Sequence, residues 1–175
     1  LLALAEAALH KAKEEGVRDR ILVFNAHDQS YLNNRFWINE VKAALAESRI
    51  LCYFQPIVPV RSTLAVPKYE ALVRLHDRNG QILCPGAFLD IIKPTAHYGR
   101  LTRRVFDLAL EAARRTGSQI SVNLSAIDLA DGETYAYLLE RLEQHEGERL
   151  TFEITESEAI KDFARVRAFT EDTRR

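Results

Sequence analysis

Glu70 and Arg74 stand four residues apart in Tyr69-Glu70-Ala71-Leu72-Val73-Arg74. At a strand's end, such a pair can hold a metal ion and a phosphate together, because carboxylate oxygens suit the ion and the planar guanidinium matches phosphate geometry. That combination points to phosphodiester chemistry. Asn123, in Ser121-Val122-Asn123-Leu124-Ser125, and Glu153, in Phe152-Glu153-Ile154-Thr155-Glu156, fall in or near the ends of two other predicted strands. In an α/β barrel, reactive residues gather at the C-terminal ends of the parallel strands, so Glu70, Asn123 and Glu153 can converge although they are distant in sequence. Two carboxylates and an amide oxygen are hard donors suited to magnesium or manganese, whereas zinc recruits histidine or cysteine, and none is adjacent. Each residue alone also has an ordinary reading. Glu70 can be a solvated strand-end carboxylate, Asn123 can cap the helix after its strand, and Glu153 or Glu156 can favour the positive start of the next helix.

The elements that must position these groups follow from periodicity. Leu1, Leu4, Ala5, Ala8, Leu9 and Ala12 share a helical face that ends at Gly16, and Arg20 to Phe24 reads as a short strand. A polar, turn-like stretch from Asn25 to Ser30 marks a domain boundary. Phe36, Trp37, Val41, Ala44 and Leu45 recur at helical spacing within Tyr31 to Ser48. Ile50 to Val60 reads as a strand in which Pro56 favours an edge, a bulge or the strand's end. Val66 to Leu75 is a second strand, closed by a turn at Asp77-Arg78-Asn79-Gly80. Pro85 to Phe88 opens a short helical region that Pro94 interrupts. A helix through Leu101, Val105, Leu108, Ala109 and Ala112 ends near Gly117. Ile120 to Leu124 and Leu150 to Ile154 are strand-like, Tyr135 to Gln144 is helical, and a further helix begins at Ser157. From Val66 onward the alternation of strands and helices predicts a parallel α/β sheet or barrel.

Composition narrows the functional classes. The 175 residues include 24 Lys and Arg against 25 Asp and Glu, so no bulk positive field favours polymeric nucleic acid or anionic lipid. With 47% apolar and 28% charged residues the chain reads as globular. No apolar run reaches the roughly 18 residues of a membrane helix, and no signal-peptide pattern appears, so this segment reads as cytoplasmic. A parent protein can still be tethered to a membrane through upstream segments. Cys52 and Cys84 lack metal or redox spacing and read as ordinary thiols. His76 and His97 read as surface or packing residues rather than acid-base groups. The sequence contains no methionine, which suggests a piece of something longer.

Together the segments resemble the EAL domain, a cyclic-di-GMP phosphodiesterase family. Its order is glutamine-proline, glutamate-alanine-leucine with arginine two further on, an asparagine, and glutamate-x-threonine-glutamate; Gln55-Pro56, Glu70-Ala71-Leu72 with Arg74, Asn123, and Glu153-Ile154-Thr155-Glu156 supply all four. The resemblance implies a modified TIM-like (β/α) barrel, represented here by its N-terminal half. It implies Glu70, Asn123 and Glu153 as ligands of Mg2+ or Mn2+, with Glu70 catalytic. Arg74 would grip a phosphate oxygen, Gln55 and Leu72 would line the nucleotide pocket, and Glu156 would line or support it. The implied reaction opens one phosphodiester bond of cyclic-di-GMP to give linear pGpG, and a homodimer formed through the EAL domain is the implied assembly. The wording from Ala5 to Gly16 resembles the closing helix of a GGDEF domain, the diguanylate cyclase family. Residues 1–27 are therefore expected to be a GGDEF remnant with linker, and residues 28–175 the front of the EAL domain.

Where many relatives carry alanine-glutamate before a glycine, this chain has Lys93-Pro94-Thr95-Ala96-His97-Tyr98-Gly99, which predicts altered local packing. The family's Asp-Asp-Phe-Gly segment, lysine, further glutamate and late glutamine have no counterpart up to Arg175. The polypeptide as written is accordingly expected to be inactive, with an open sheet edge and a wetted apolar face, while a longer parent can be a working enzyme. The rival expectations are an EAL domain without turnover that serves as a cyclic-di-GMP receptor, and a protein-interaction module.

Overall fold

The computed structural model describes residues 9, 29–60, 66–145, 149–154 and 162–173. The helix and strand expected before Asn25 lie outside the described residues, apart from Leu9, which is helical and exposed. The first long element, α1 (Gln29–Ala46), buries Val41 and Ala44 completely, while Trp37 packs against Phe88 with ring centroids 6.1 Å apart. Phe36, expected on the buried face, is instead 57% exposed. The helix ends at Ala46, the turn after it passes through Ser48, whose φ of 56° is left-handed, and Arg49 then ties it to the sheet. The Arg49 guanidinium pairs with Glu40 at 2.6 Å and Glu47 at 2.7 Å, and donates to the His76 carbonyl at 2.6 Å.

Among the described residues five strands follow, interleaved with helices: β1 (Ile50–Ile57), β2 (Lys68–His76), the short β3 (Ile82–Leu83), β4 (Gln119–Leu124) and β5 (Leu150–Ile154). Between β3 and β4 lie a 3-10 turn over Pro85–Ala87, α2 (Leu89–Ile92) and α3 (His97–Thr116); α4 (Ala126–Ala130) and α5 (Gly132–His145) precede β5, and α6 (Phe163–Asp172) follows it. Strand β1 runs antiparallel to β2 from Ile50↔Leu75 to Ile57↔Lys68 and, among the described residues, pairs with no other strand. Pro56 is thus on an edge strand, one residue from its end, where its missing amide hydrogen disrupts least. On its other flank β2 pairs parallel with β4 from Lys68↔Gln119 to Ala71↔Val122, and β4 pairs parallel with β5 from Ile120↔Leu150 to Leu124↔Ile154. Strand β3 meets that same flank of β2 only at Leu75 and His76. Between these two pairings β2 and β4 part, and the parting opens the sheet beside Leu72, Val73 and Arg74.

Side chains alternate across strands, so the register sorts the sheet into two faces. One carries Cys52, Ala71, Val73, Ile120, Val122, Leu124 and Phe152, which pack on the helices. Ala109 and Ala113 of α3 seat against Ala71, Ile120 and Val122, their small side chains allowing close approach. Phe106, Leu110, Leu129, Leu138 and Phe169 extend this core, with Phe152 stacked on Phe106 at 6.1 Å. Each fully buried Phe or Leu contributes about 1.5–3 kcal/mol, so the helix-facing layer accounts for the fold's stability. The opposite face is not the apolar surface expected from sequence. It carries Gln55, Lys68, Glu70, Arg74, Gln119, Ser121, Asn123, Thr151 and Glu153, interrupted mainly by Leu51, Tyr53, Ile57 and Leu72.

The thiols of Cys52 and Cys84 are both free. Among the described residues no helix is long and apolar enough to cross a membrane.

Candidate active site

The polar sheet face gathers the residues singled out by sequence. Glu70 of β2 lies opposite Gln55 of β1 in the antiparallel register, and Asn123 of β4 lies opposite Glu153 of β5 in the parallel one. Asn123 bridges the two halves: its Nδ2 donates to Glu70 Oε1 at 2.8 Å, although 53 residues separate them. Leu72 and Arg74 continue the same face of β2 past the point where β4 departs. Glu70 and Glu153 are half-buried, and Gln55 and Asn123 are exposed. Glu156 lies outside the described residues.

Arg74 is held without a carboxylate partner among the described residues. Its Nη1 donates to the Val73 carbonyl at 2.8 Å, and its guanidinium carbon lies 5.4 Å from the centre of the Tyr53 ring. Cation–π contact of this kind orients the fork while leaving its charge uncompensated. An anion reaching this face therefore meets a positive group already positioned for it.

Between β2, β4 and helices α2 and α3 opens a groove of about 330 Å³, which shares Leu72 and Asn123 with the polar face. Its walls are largely apolar, including Val73, Leu89, Leu101 and Val105, with Lys93 beside them. The segment expected to pack differently forms part of this wall. Pro94 ends α2, and the turn through Thr95 delivers Tyr98 into the core, 8% exposed.

Beneath the groove lies a cluster that spacing did not reveal. The carboxylate of Asp128, 1% exposed, accepts from the Thr102 hydroxyl, from the Ser125 hydroxyl at 2.7 Å and from the Ser125 amide at 2.8 Å. The Tyr98 hydroxyl lies 3.1 Å from both Ser125 Oγ and Asp128 Oδ2. Ser125, not Asn123, caps α4, through a reciprocal box with Asp128. That corrects the capping alternative and leaves the Asn123 side chain on the sheet face. The Ser-x-x-Asp spacing of Ser125 and Asp128 was the available signal.

The donors fit a hard divalent cation in type, being two carboxylates and an amide. Among the described residues no three His, Cys, Asp or Glu side chains form a metal-binding group. The Asn123 amide is the oxygen donor that this face offers beside Glu70 and Glu153. His97, at the start of α3, has its pKa lowered by burial and then by the charges of Arg100 and Lys42, which fits a packing residue better than an acid-base group.

A mixed sheet with helices on one face and its polar side chains on the other is the beginning of a TIM-like barrel. The EAL domain model matches residues 38–175, and the chain belongs to the EAL domain family. The cyclic di-GMP phosphodiesterase PdeB of Shewanella oneidensis is 25% identical over 172 residues, which is 93% of this chain and 20% of that protein. The FimX EAL domain of Pseudomonas aeruginosa, solved bound to c-di-GMP, superposes with a TM-score of 0.70 at 25% identity, covering 78% of this chain and 57% of that one. An EAL domain protein of Listeria monocytogenes gives a TM-score of 0.62 at 25% identity, covering 78% of this chain and 56% of that one. The chain thus spans a minor part of PdeB and a little over half of these solved EAL domains.

Proposed function

We propose that this chain supplies the first half of a cyclic-di-GMP phosphodiesterase site that hydrolyses the cyclic dinucleotide to linear pGpG. The observation that carries this reading is the hydrogen bond between Asn123 and Glu70, which joins two strands on the face that also bears Glu153, Gln55, Leu72 and Arg74. Glu70, Asn123 and Glu153 would hold Mg2+ or Mn2+. When bound, such a cation lowers the pKa of water and neutralises charge on the reacting phosphate. Arg74 would bind a non-bridging phosphate oxygen through its planar fork, which lysine cannot reproduce. Leu72 and Gln55 would border the nucleotide, and Glu70 would fix the attacking water. Addition of water to phosphorus breaks the P–O3′ bond, and the departing oxygen takes up a proton.

We read residues 28–175 as the front of the EAL domain, with the closing part of a GGDEF domain before it; support for the latter is the wording from Ala5 to Gly16 alone. A cytoplasmic homodimer fits the same reading. The test is turnover of cyclic-di-GMP by the full-length protein with Mn2+, in parallel with calorimetry. Hydrolysis to pGpG that Glu70→Ala abolishes is the expected result. Binding without hydrolysis would make the protein a receptor. No binding heat at high ligand would leave only a role in protein interaction.

A further inference from the structure

We propose that Asp128 is the positioning residue of this site, holding Asn123 against Glu70 by clamping the β4–α4 turn to α3. The inference rests on the phosphodiesterase reading above. Strand β4 stops pairing with β2 at Val122, so no backbone ladder fixes Asn123 relative to the strand that carries Glu70. Among the described residues Asn123 retains strand pairing only with β5. Its distance from Glu70 must then be set by something that touches both strands.

Helix α3 is that common reference. Its Ala109 and Ala113 pack on Ala71 of β2 and on Ile120 and Val122 of β4. About two turns nearer its start, Thr102 donates to Asp128 Oδ1, and Tyr98, a turn earlier still, reaches Asp128 Oδ2 at 3.1 Å. The other oxygen contacts come from Ser125, two residues beyond Asn123. One carboxylate therefore gathers donors from the helix and from the turn that ends β4.

The chemistry explains why a carboxylate occupies a position that an aliphatic group could fill. Burial of a charge without a cation is costly unless its lone pairs are satisfied, and among the described residues Asp128 has no cationic partner. Its donors are hydroxyls and an amide, which have directions, whereas an apolar contact fixes volume but not orientation. Groups behind a metal ligand that set its direction alter metal affinity when removed.

The test uses the full-length protein and Mn2+ alone, titrated while free Mn2+ is followed by electron paramagnetic resonance, with thermal unfolding in parallel. Thr102→Val removes the α3 donor with little change of shape, and Thr102→Ser keeps it. Tyr137→Phe removes the Tyr137 hydroxyl's 2.7 Å bond to Asp107 and serves as the control for lost stability. Thr102→Val should weaken Mn2+ binding on the order of tenfold, with Thr102→Ser near wild type. Tyr137→Phe should leave affinity unchanged even where it lowers the melting temperature. The proposal is overturned if Thr102→Val keeps wild-type affinity, or if Tyr137→Phe weakens binding as much. Should Thr102→Val not fold, Tyr98→Phe removes the other α3 hydroxyl and carries the same expectation. Wild-type protein without Mn2+ affinity would defeat the functional reading itself, and this inference with it.

Discussion

Asn123, the first residue of β4 beyond its pairing with β2, donates from Nδ2 to Glu70 Oε1 at 2.8 Å. The bond turns the amide's donor, not its oxygen, toward the carboxylate. A cation shared by both side chains requires the amide to rotate and present its oxygen. The hydrogen bond and the cation are thus alternative ways of joining the same two strands, and each should substitute for the other.

Replacing Asn123 with aspartate separates these alternatives. Two carboxylates at this distance repel, so Asn123→Asp should lose about 1–2 kcal/mol of stability without divalent ions. Millimolar Mn2+ should recover the loss, because ligand binding to the folded state raises stability by mass action. Thermal melts with and without Mn2+ check this. A melting temperature indifferent to Mn2+ in both proteins would remove the cation from the site.

Arg74 is oriented by Tyr53 and lacks a carboxylate partner among the described residues. Arg74→Lys keeps the charge but loses the second prong and the flat contact with the ring. Weaker substrate binding follows, by about 1–2 kcal/mol, or roughly tenfold in KM, with a smaller change in kcat. An unchanged KM would count against phosphate contact.

Much of this was legible in the sequence, for reasons that individual residues make clear. The α3 helix could be read because Leu101, Val105, Leu108 and Ala112 repeat at its period and Gly117, with φ of +68°, closes it. Asn123 and Glu153 could be assigned to strand ends because short apolar runs surround them, whereas Glu70, expected at a strand's end, lies near the start of β2 because that strand runs on to His76. Pairing register was not legible, and the sharing of one face by Gln55, Glu70, Asn123 and Glu153 depends on it. Strand β3 and helix α4, of two and five residues, are too short to show a period. The Asp128 cluster stayed hidden because Tyr98 and Thr102 come from another element, and only tertiary packing makes them its partners. The polar sheet face was missed for a related reason: alternation within β2 is masked by Leu72 and Leu75, which lie on opposite faces.

The two cysteines should differ sharply in reactivity. Burial pushes the Cys52 thiol up to about 12, and its Sγ lies 3.9 Å from the Val105 carbonyl, whereas Cys84 is exposed. The thiolate is the nucleophile, so iodoacetamide at pH 8 should label Cys84 and spare Cys52 until the protein unfolds. Peptide mapping after native and denatured labelling reads this directly. Equal labelling of both in the native state would contradict the packing of β1 on α3.

His97 gives the fold a defined acid sensitivity. Burial, then the neighbouring charges of Arg100 and Lys42, lower its pKa below the ordinary 6.5, and its Nδ1 is buried without a hydrogen-bond partner among the described residues. Because the unfolded chain binds this proton more readily, the His97 contribution is full above the unfolded value. It is lost as pH falls through about 6.5 toward the lower folded value. His97→Gln removes the titration and should flatten the dependence of unfolding free energy on pH between about 7.5 and 5.5. Urea unfolding at the two ends of that interval measures the difference between wild type and variant. A difference that does not change with pH would mean that His97 charges as easily in the folded protein as in the unfolded chain, and that the start of α3 is open to water.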